Sequence, residues 1–198
     1  MKSKNLTLII IVAVILVLGG CGCGSYNSMN QLKQQVGESW SNVENQYKRR
    51  SDLIGNLVAT VKGAANFEQS TLVEVTQARA SASQVKVDPS NITPEQLKEF
   101  QAAQNQVGSA LSRLLVTVEQ YPQLTATENF KGLQVELSNT ENKIATERSR
   151  FNEVARNYNT SVTKFPNVLY AGMLGFKERP YFEATAAEKE TPKVDFSK

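Results

Sequence analysis

The sequence predicts an all-α protein: an N-terminal membrane anchor followed by an antiparallel, up-and-down bundle of four long helices. Three observations carry this. Apolar residues recur at three- and four-residue steps over most of the chain. No stretch alternates as a half-buried strand would. The breaks between periodic stretches are short, which sets successive helices antiparallel. If the first two helices are continuous, the bundle has three helices instead. The 198 residues suit one anchored domain of ~170 residues, enough to bury a core. The expected organisation is an anchor or signal segment over 1–23, a bundle domain over 24–184 and a polar tail over 185–198.

Leu6 to Leu18 is apolar at every position except Thr7. As a helix this run covers only ~20 Å, and the small residues through Cys23 bring it near ~18 residues, just enough to span a bilayer. Lys2 and Lys4 precede it and no charged side chain follows until Lys33. That asymmetry predicts an N-terminus inside and a domain outside the cytoplasm. The same stretch also reads as an export signal, with a charged start, an apolar centre and small residues after it. Leu18-Gly19-Gly20-Cys21 resembles the lipobox of bacterial lipoproteins, in which Cys21 would become the acylated first residue. A signal-anchor with a Gly-rich exit and a lipidated Cys21 stay open as alternatives. Either one gives a membrane-tethered domain.

The first helix of the bundle starts at Tyr26. Met29, Leu32, Val36, Trp40, Val43, Tyr47, Ile54, Val58 and Val61 form one apolar stripe. Gly63 and Asn66 suggest a turn near 62–66, after which Leu72, Val75, Ala78, Ala82 and Val85 form a second stripe. Asp88-Pro89-Ser90-Asn91 is a break. Thr93-Pro94-Glu95-Gln96 opens a third helix with a capping box and Pro at the first helical position. Its face runs Phe100, Val107, Leu111, Leu114, Val118 and Tyr121, and Pro122 ends it. A second capping box, Thr125-Ala126-Thr127-Glu128, is expected to open the last helix. There Phe130, Leu137, Ile144, Phe151, Tyr158 and Phe165 fall seven apart, the spacing of close, slightly supercoiled packing. The second seam, Leu133, Thr140, Glu147, Val154 and Ser161, is mixed.

The composition excludes much chemistry. There is no histidine, and the two cysteines, Cys21 and Cys23, lie at the membrane end. The usual neutral-pH proton shuttle is therefore missing, as are His or Cys zinc sets and the Glu-x-x-His pairs of di-iron bundles. No phosphate-binding glycine loop and no GxSxG elbow occurs. No catalytic residue, metal or cofactor is expected. Of the 19 acidic residues 16 are Glu spread along helices, which reads as solubility and i,i+4 pairing rather than acid–base catalysis. Without Lys2 and Lys4, 20 basic residues face those 19 acidic ones. Such balance argues against nucleic acid as a partner. Arg49-Arg50, the one local basic pair, reads as a solvated face.

After the bundle, "FPNVLYAGMLGFKERPYFEA" is apolar and aromatic, with Pro166 and Pro180 to stop helices. Phe176, Tyr181 and Phe182 can fold back onto the bundle or stand out as a docking surface, with folding back favoured.

At this point a specific resemblance emerges. "GCGSYNSM", "WSNVENQYKRRSDLI", "TENKIATERSRFNEVARNYN" and the closing "FPNVLYAGMLGFKERPYFEA" look like the LemA family, a match running from Tyr26 to Ala184. Gly55 departs from it, since Pro is expected there; that should touch helix bending, not function. The resemblance implies a bacterial, membrane-tethered helical bundle with no catalytic residues to carry over. The matching positions that stand out are Asn45, Arg49, Arg50, Asn142, Arg148, Asn152 and Asn159. The last helix carries Asn142, Arg148, Asn152 and Asn159 roughly along one side, where they would form buried hydrogen-bonded layers that fix register. A ligand cleft and a solvated face are the alternatives. The function expected is a non-enzymatic interaction or scaffold module at the cell envelope, with a ligand or peptide sensor binding between helices as the runner-up. Its protein partner is not legible, and self-association through the heptad face stays open.

Overall fold

The structure, a computed structural model, describes residues 2–63 and 68–183, with side chains from Gly24 onward. Five helices follow in order: α1 (Lys2–Lys62), α2 (Gln69–Gln84), α3 (Pro94–Val118), the single turn α4 (Pro122–Thr125) and α5 (Glu128–Thr163). A 3₁₀ turn, Asn167–Leu169, leads into an extended tail that ends the described chain at Glu183. Among the described residues there is no strand. The anchor expected over 1–23, Cys21 within it, lies outside the residues whose side chains are described. Among the described residues no helix is long and apolar enough to cross a membrane. The backbone of α1 nonetheless runs as one helix through the Gly-rich stretch expected to act as an exit.

Inter-helix contacts set the directions. Trp40 meets Phe151 and Arg50 meets Glu141, so α5 runs against α1. Tyr47 meets Phe100 and Arg50 meets Gln104, so α3 runs with α1. The Arg79 Nε donates to Ser51 Oγ at 2.9 Å. Those residues would stand ~40 Å apart on one continuous helix. The three-helix alternative is therefore corrected: α2 doubles back beside α1. The expected turn starts at Gly63, and 64–67 lie outside the described residues.

The core divides into two halves. Nearer the chain's start, Met29, Val36, Trp40, Val43 and Tyr47 pack with Phe100, Ile144, Phe151, Tyr158, Phe176 and Phe182. In the far half Ile54, Leu57 and Val61 pack with Val75, Val107, Leu114, Phe130 and Leu137. Trp40 is the hub of the first half. Phe100 and Phe151 meet it edge-on at 5.1 and 5.8 Å between centroids, and Phe182 stacks on it at 5.9 Å. Such ring pairs add ~1 kcal/mol each beyond burial.

Three local expectations are corrected. Five of the six heptad residues on α5 are buried, but Phe165 is exposed, because the helix stops at the C-cap Lys164 and the chain turns away. The N-cap of α5 is Thr127, whose side chain accepts from Phe130 N–H, not Thr125. Pro122 starts α4 and draws Thr125 into it. The box at Thr93 forms as expected, with Gln96 N–H donating to Thr93 Oγ1 and Thr93 N–H to Gln96 Oε1, both at 3.2 Å.

Replacing Phe151 by Ala should destabilise the bundle by about 3–5 kcal/mol, since the ring is fully enclosed in the core. The sole tryptophan, Trp40, touches Phe151, so urea titration followed by its fluorescence measures the loss.

Candidate functional site

The tail from Phe176 to Glu183 is extended and lies against α5, where its backbone N–H and C=O groups need partners once buried. Two asparagines supply them. Asn159 Nδ2 donates to the Arg179 carbonyl at 2.8 Å while Arg179 N–H donates to Asn159 Oδ1 at 2.7 Å. Asn152 repeats the pattern with Phe182, at 2.9 and 2.8 Å. Each amide thus imitates one rung of a sheet. Seven helical residues rise ~10.5 Å, and three extended residues rise ~10 Å. That match lets asparagines seven apart hold backbone positions three apart. Pro180, between them, has no N–H to satisfy.

Side chains close the grip. Arg179 is buried, donates to Asn91 Oδ1 at 3.0 Å and to the Ser90 carbonyl at 2.5 Å, and lies 5.7 Å over the Tyr158 ring. It ties the tail to the α2–α3 loop. There the Asp88 carboxyl is held below its ordinary 3.8, chiefly by hydrogen bonds from Ser90 and secondarily by the charges of Arg179 and Lys33. Burial pushes the Tyr158 phenol above its ordinary 10.0, against the opposing pull of Arg179. At the far end Arg148 Nη2 (2.9 Å) and Gln101 Nε2 (3.3 Å) donate to the Glu183 carbonyl. Arg148 also sits 5.3 Å over the Phe182 ring.

A second polar region lies at the waist between the two core halves. Arg50, on the core face between Tyr47 and Ile54, is buried rather than solvated as its pair with Arg49 suggested. It donates to Glu141 Oε1 at 3.0 Å and to Gln104 Oε1 at 2.7 Å, joining α1, α3 and α5. Arg49 does face solvent, paired with Glu136 at 2.6 Å. Beside Arg50 opens a cleft of about 530 Å³ bounded by α1, α2 and α3, with Asn45, Arg79, Ser83 and Phe100 in its wall. Gly55 lies against one of its wall residues: a Cβ there would stand 3.1–3.4 Å from the Arg79 guanidinium. This glycine, expected to matter only for helix bending, makes room for Arg79 while α1 passes it unbroken.

The structure therefore brings Arg148, Asn152 and Asn159 together on the tail, and Asn45 and Arg50 together at the cleft. Asn142 is exposed and belongs to neither group. Phe176 and Phe182 are buried in the core, whereas Tyr181 is half-exposed, its hydroxyl 2.9 Å from Asn159 Nδ2. Sequence reasoning missed Arg179 and Arg79. The signal for Arg179 was present, as a basic residue next to a proline inside an aromatic stretch. Arg79 has no local signal, since its partners are 28 residues away. Among the described residues no group of three or more His, Cys, Asp or Glu stands ready to hold a metal ion.

Asn159→Ala should leave the Arg179 backbone groups unpaired and cost the tail about 1–3 kcal/mol. Hydrogen exchange at Arg179 and Phe182 should rise roughly tenfold or more while α3 keeps its protection. Arg148→Ala should loosen Glu183 in the same measurement.

The model of the LemA family matches residues 39–196. Two magnetosome proteins are similar to the chain, MamQ 2 of Paramagnetospirillum magneticum and MamQ of Magnetospirillum gryphiswaldense. Each is 30% identical over 179 residues, covering 82% of this chain and 66% of the relative. Protein LemA of Metamycoplasma hominis is 26% identical over 166 residues, covering 84% of this chain and 72% of the relative. The chain thus spans 66% of the length of these MamQ proteins. The matched region takes in the Trp40 hub, the Asn152 and Asn159 grips and the tail that they hold, and the chain belongs to the LemA family.

Proposed function

We propose that this chain is a non-enzymatic interaction or scaffold protein of the bacterial cell envelope. Residues 1–23 tether it and the bundle stands outside the cytoplasm. The observation that carries this reading is the continuity of α1, one helix from Lys2 to Lys62. It makes the apolar run Leu6–Leu18 and the first helix of the bundle a single rod of ~90 Å. A tether built this way fixes the height and orientation of the bundle above a bilayer, which suits presentation of a surface. The MamQ relatives are named for the magnetosome, a structure, rather than for a reaction, and that supports a non-enzymatic role. Alkaline extraction of native membranes should leave the chain in the pellet, and protease added outside intact spheroplasts should cut the bundle. Release by alkali would overturn the tether. The mass of the mature N-terminal peptide separates an acylated Cys21 from a retained Met1 or Lys2.

The waist cleft favours a second reading, a ligand or peptide sensor binding between the helices. Its volume of about 530 Å³ lies in the range of small-molecule sites, and Arg79, Arg50 and Asn45 offer polar handles beside Phe100. Native mass spectrometry of the chain purified from its own membranes should then show a co-purified molecule that Arg79→Ala abolishes. A bare chain in both samples sinks this second reading.

A further inference from the structure

Between Phe165 and Leu174 the chain turns apolar side chains outward. Phe165 is 79% exposed, Leu169 67% and Met173 89%, with Val168 and Leu174 about half exposed. Five of the ten exposed large hydrophobics among the described residues stand in this one segment. The segment is built. Asn167 is buried and donates from Nδ2 to the Ser161 carbonyl at 2.7 Å, while its Oδ1 accepts from the Tyr170 hydroxyl at 2.8 Å. Ala171 is buried, its N–H donating to the Asn167 carbonyl at 2.8 Å. Phe176 N–H donates to the Ala171 carbonyl at 2.9 Å, and Gly175, at φ +79°, allows the reversal. The same backbone that points 167, 171 and 176 into the bundle therefore holds 165, 168, 169, 173 and 174 away from it.

Its place in the molecule says what covers it. Phe176 packs edge-on against Tyr26 at 5.3 Å, so the segment caps the end of the bundle from which α1 runs back toward the apolar stretch. Tyr26 lies only ~12 Å along the same helix from Leu18. Lys164 and Lys177 flank the segment and are exposed. Concentrated apolar surface edged by two exposed lysines, with exposed Glu178 beside one of them, next to the helix that leads back to the apolar run Leu6–Leu18, matches the headgroup–acyl boundary of a membrane.

We propose that Phe165–Leu174 is a second membrane contact, seated in the lipid interface beside the foot of α1, so that the bundle stands on two points. This rests on the tether read above. The test uses the full chain with Leu169→Trp or Met173→Trp, both at exposed positions, in mixed phosphatidylcholine–phosphatidylglycerol vesicles with or without brominated acyl chains. The unsubstituted chain, whose sole tryptophan Trp40 is buried, supplies the background. The expected result is added emission that is blue-shifted and mostly lost in brominated vesicles, while Trp40 emission is retained. Added emission typical of water and unquenched overturns the contact and leaves the tether standing. A blue shift without quenching means that a second protein surface covers the patch, and also overturns it. A chain that fails to float with the vesicles overturns the tether, and the contact with it.

Discussion

An extended chain can be buried against a helix only if its backbone donors and acceptors find partners there, since a helix surface offers none of its own. Asn152 and Asn159 meet that constraint, and the first half of the bundle depends on it. Held at Arg179 and Phe182, the tail places the Phe182 ring on Trp40 and the Phe176 ring on Tyr26. Without the tail, Trp40 would keep its neighbours on α3 and α5 but lose its stacked face. The grip also reaches the α2–α3 loop, because Arg179 is at once a backbone rung and a guanidinium bridging to Ser90 and Asn91. One short segment thus joins α1, α5 and the loop that α2 leaves open by ending at Gln84.

The polar waist has a different logic. Burying Arg50 is costly unless its donors are used, and Gln104 and Glu141 use them from two other helices. Glu141 keeps access to water, which lessens the desolvation of the pair. Such a layer favours one register of α1, α3 and α5, because sliding any of these three by a turn would part the guanidinium from Gln104 or Glu141.

The molecule is accordingly polarised along its length. Its described side chains place a polar cleft at the waist and an apolar rim at the end where α1 departs. Most of the polar groups singled out by sequence hold structure together: Arg50, Arg148, Asn152 and Asn159 all bind other parts of the chain.

Helix content, the caps at Thr93 and the seven-residue repeat of α5 could be read directly, because each depends on residues within a turn or two of one another. So could the concentration of amides and arginines on α5, although not what they hold. The fate of that face was decided by a segment some 20 to 30 residues away in the chain, and periodicity carries no information about such pairings. The same limit explains Arg50 and Arg49: adjacent in sequence and alike in chemistry, they point about 100° apart on a helix, one into the core and one to water. Phe165 kept the heptad spacing yet lost its burial because the helix ends two residues earlier, at Thr163. What the sequence determined by itself was the pattern of local backbone structure and the inventory of chemistry, both short-range properties. Which polar side chains are structural, which apolar ones are left outward, and where a cleft opens were decided by tertiary packing. There the geometry of distant segments sets which donors, acceptors and rings can meet.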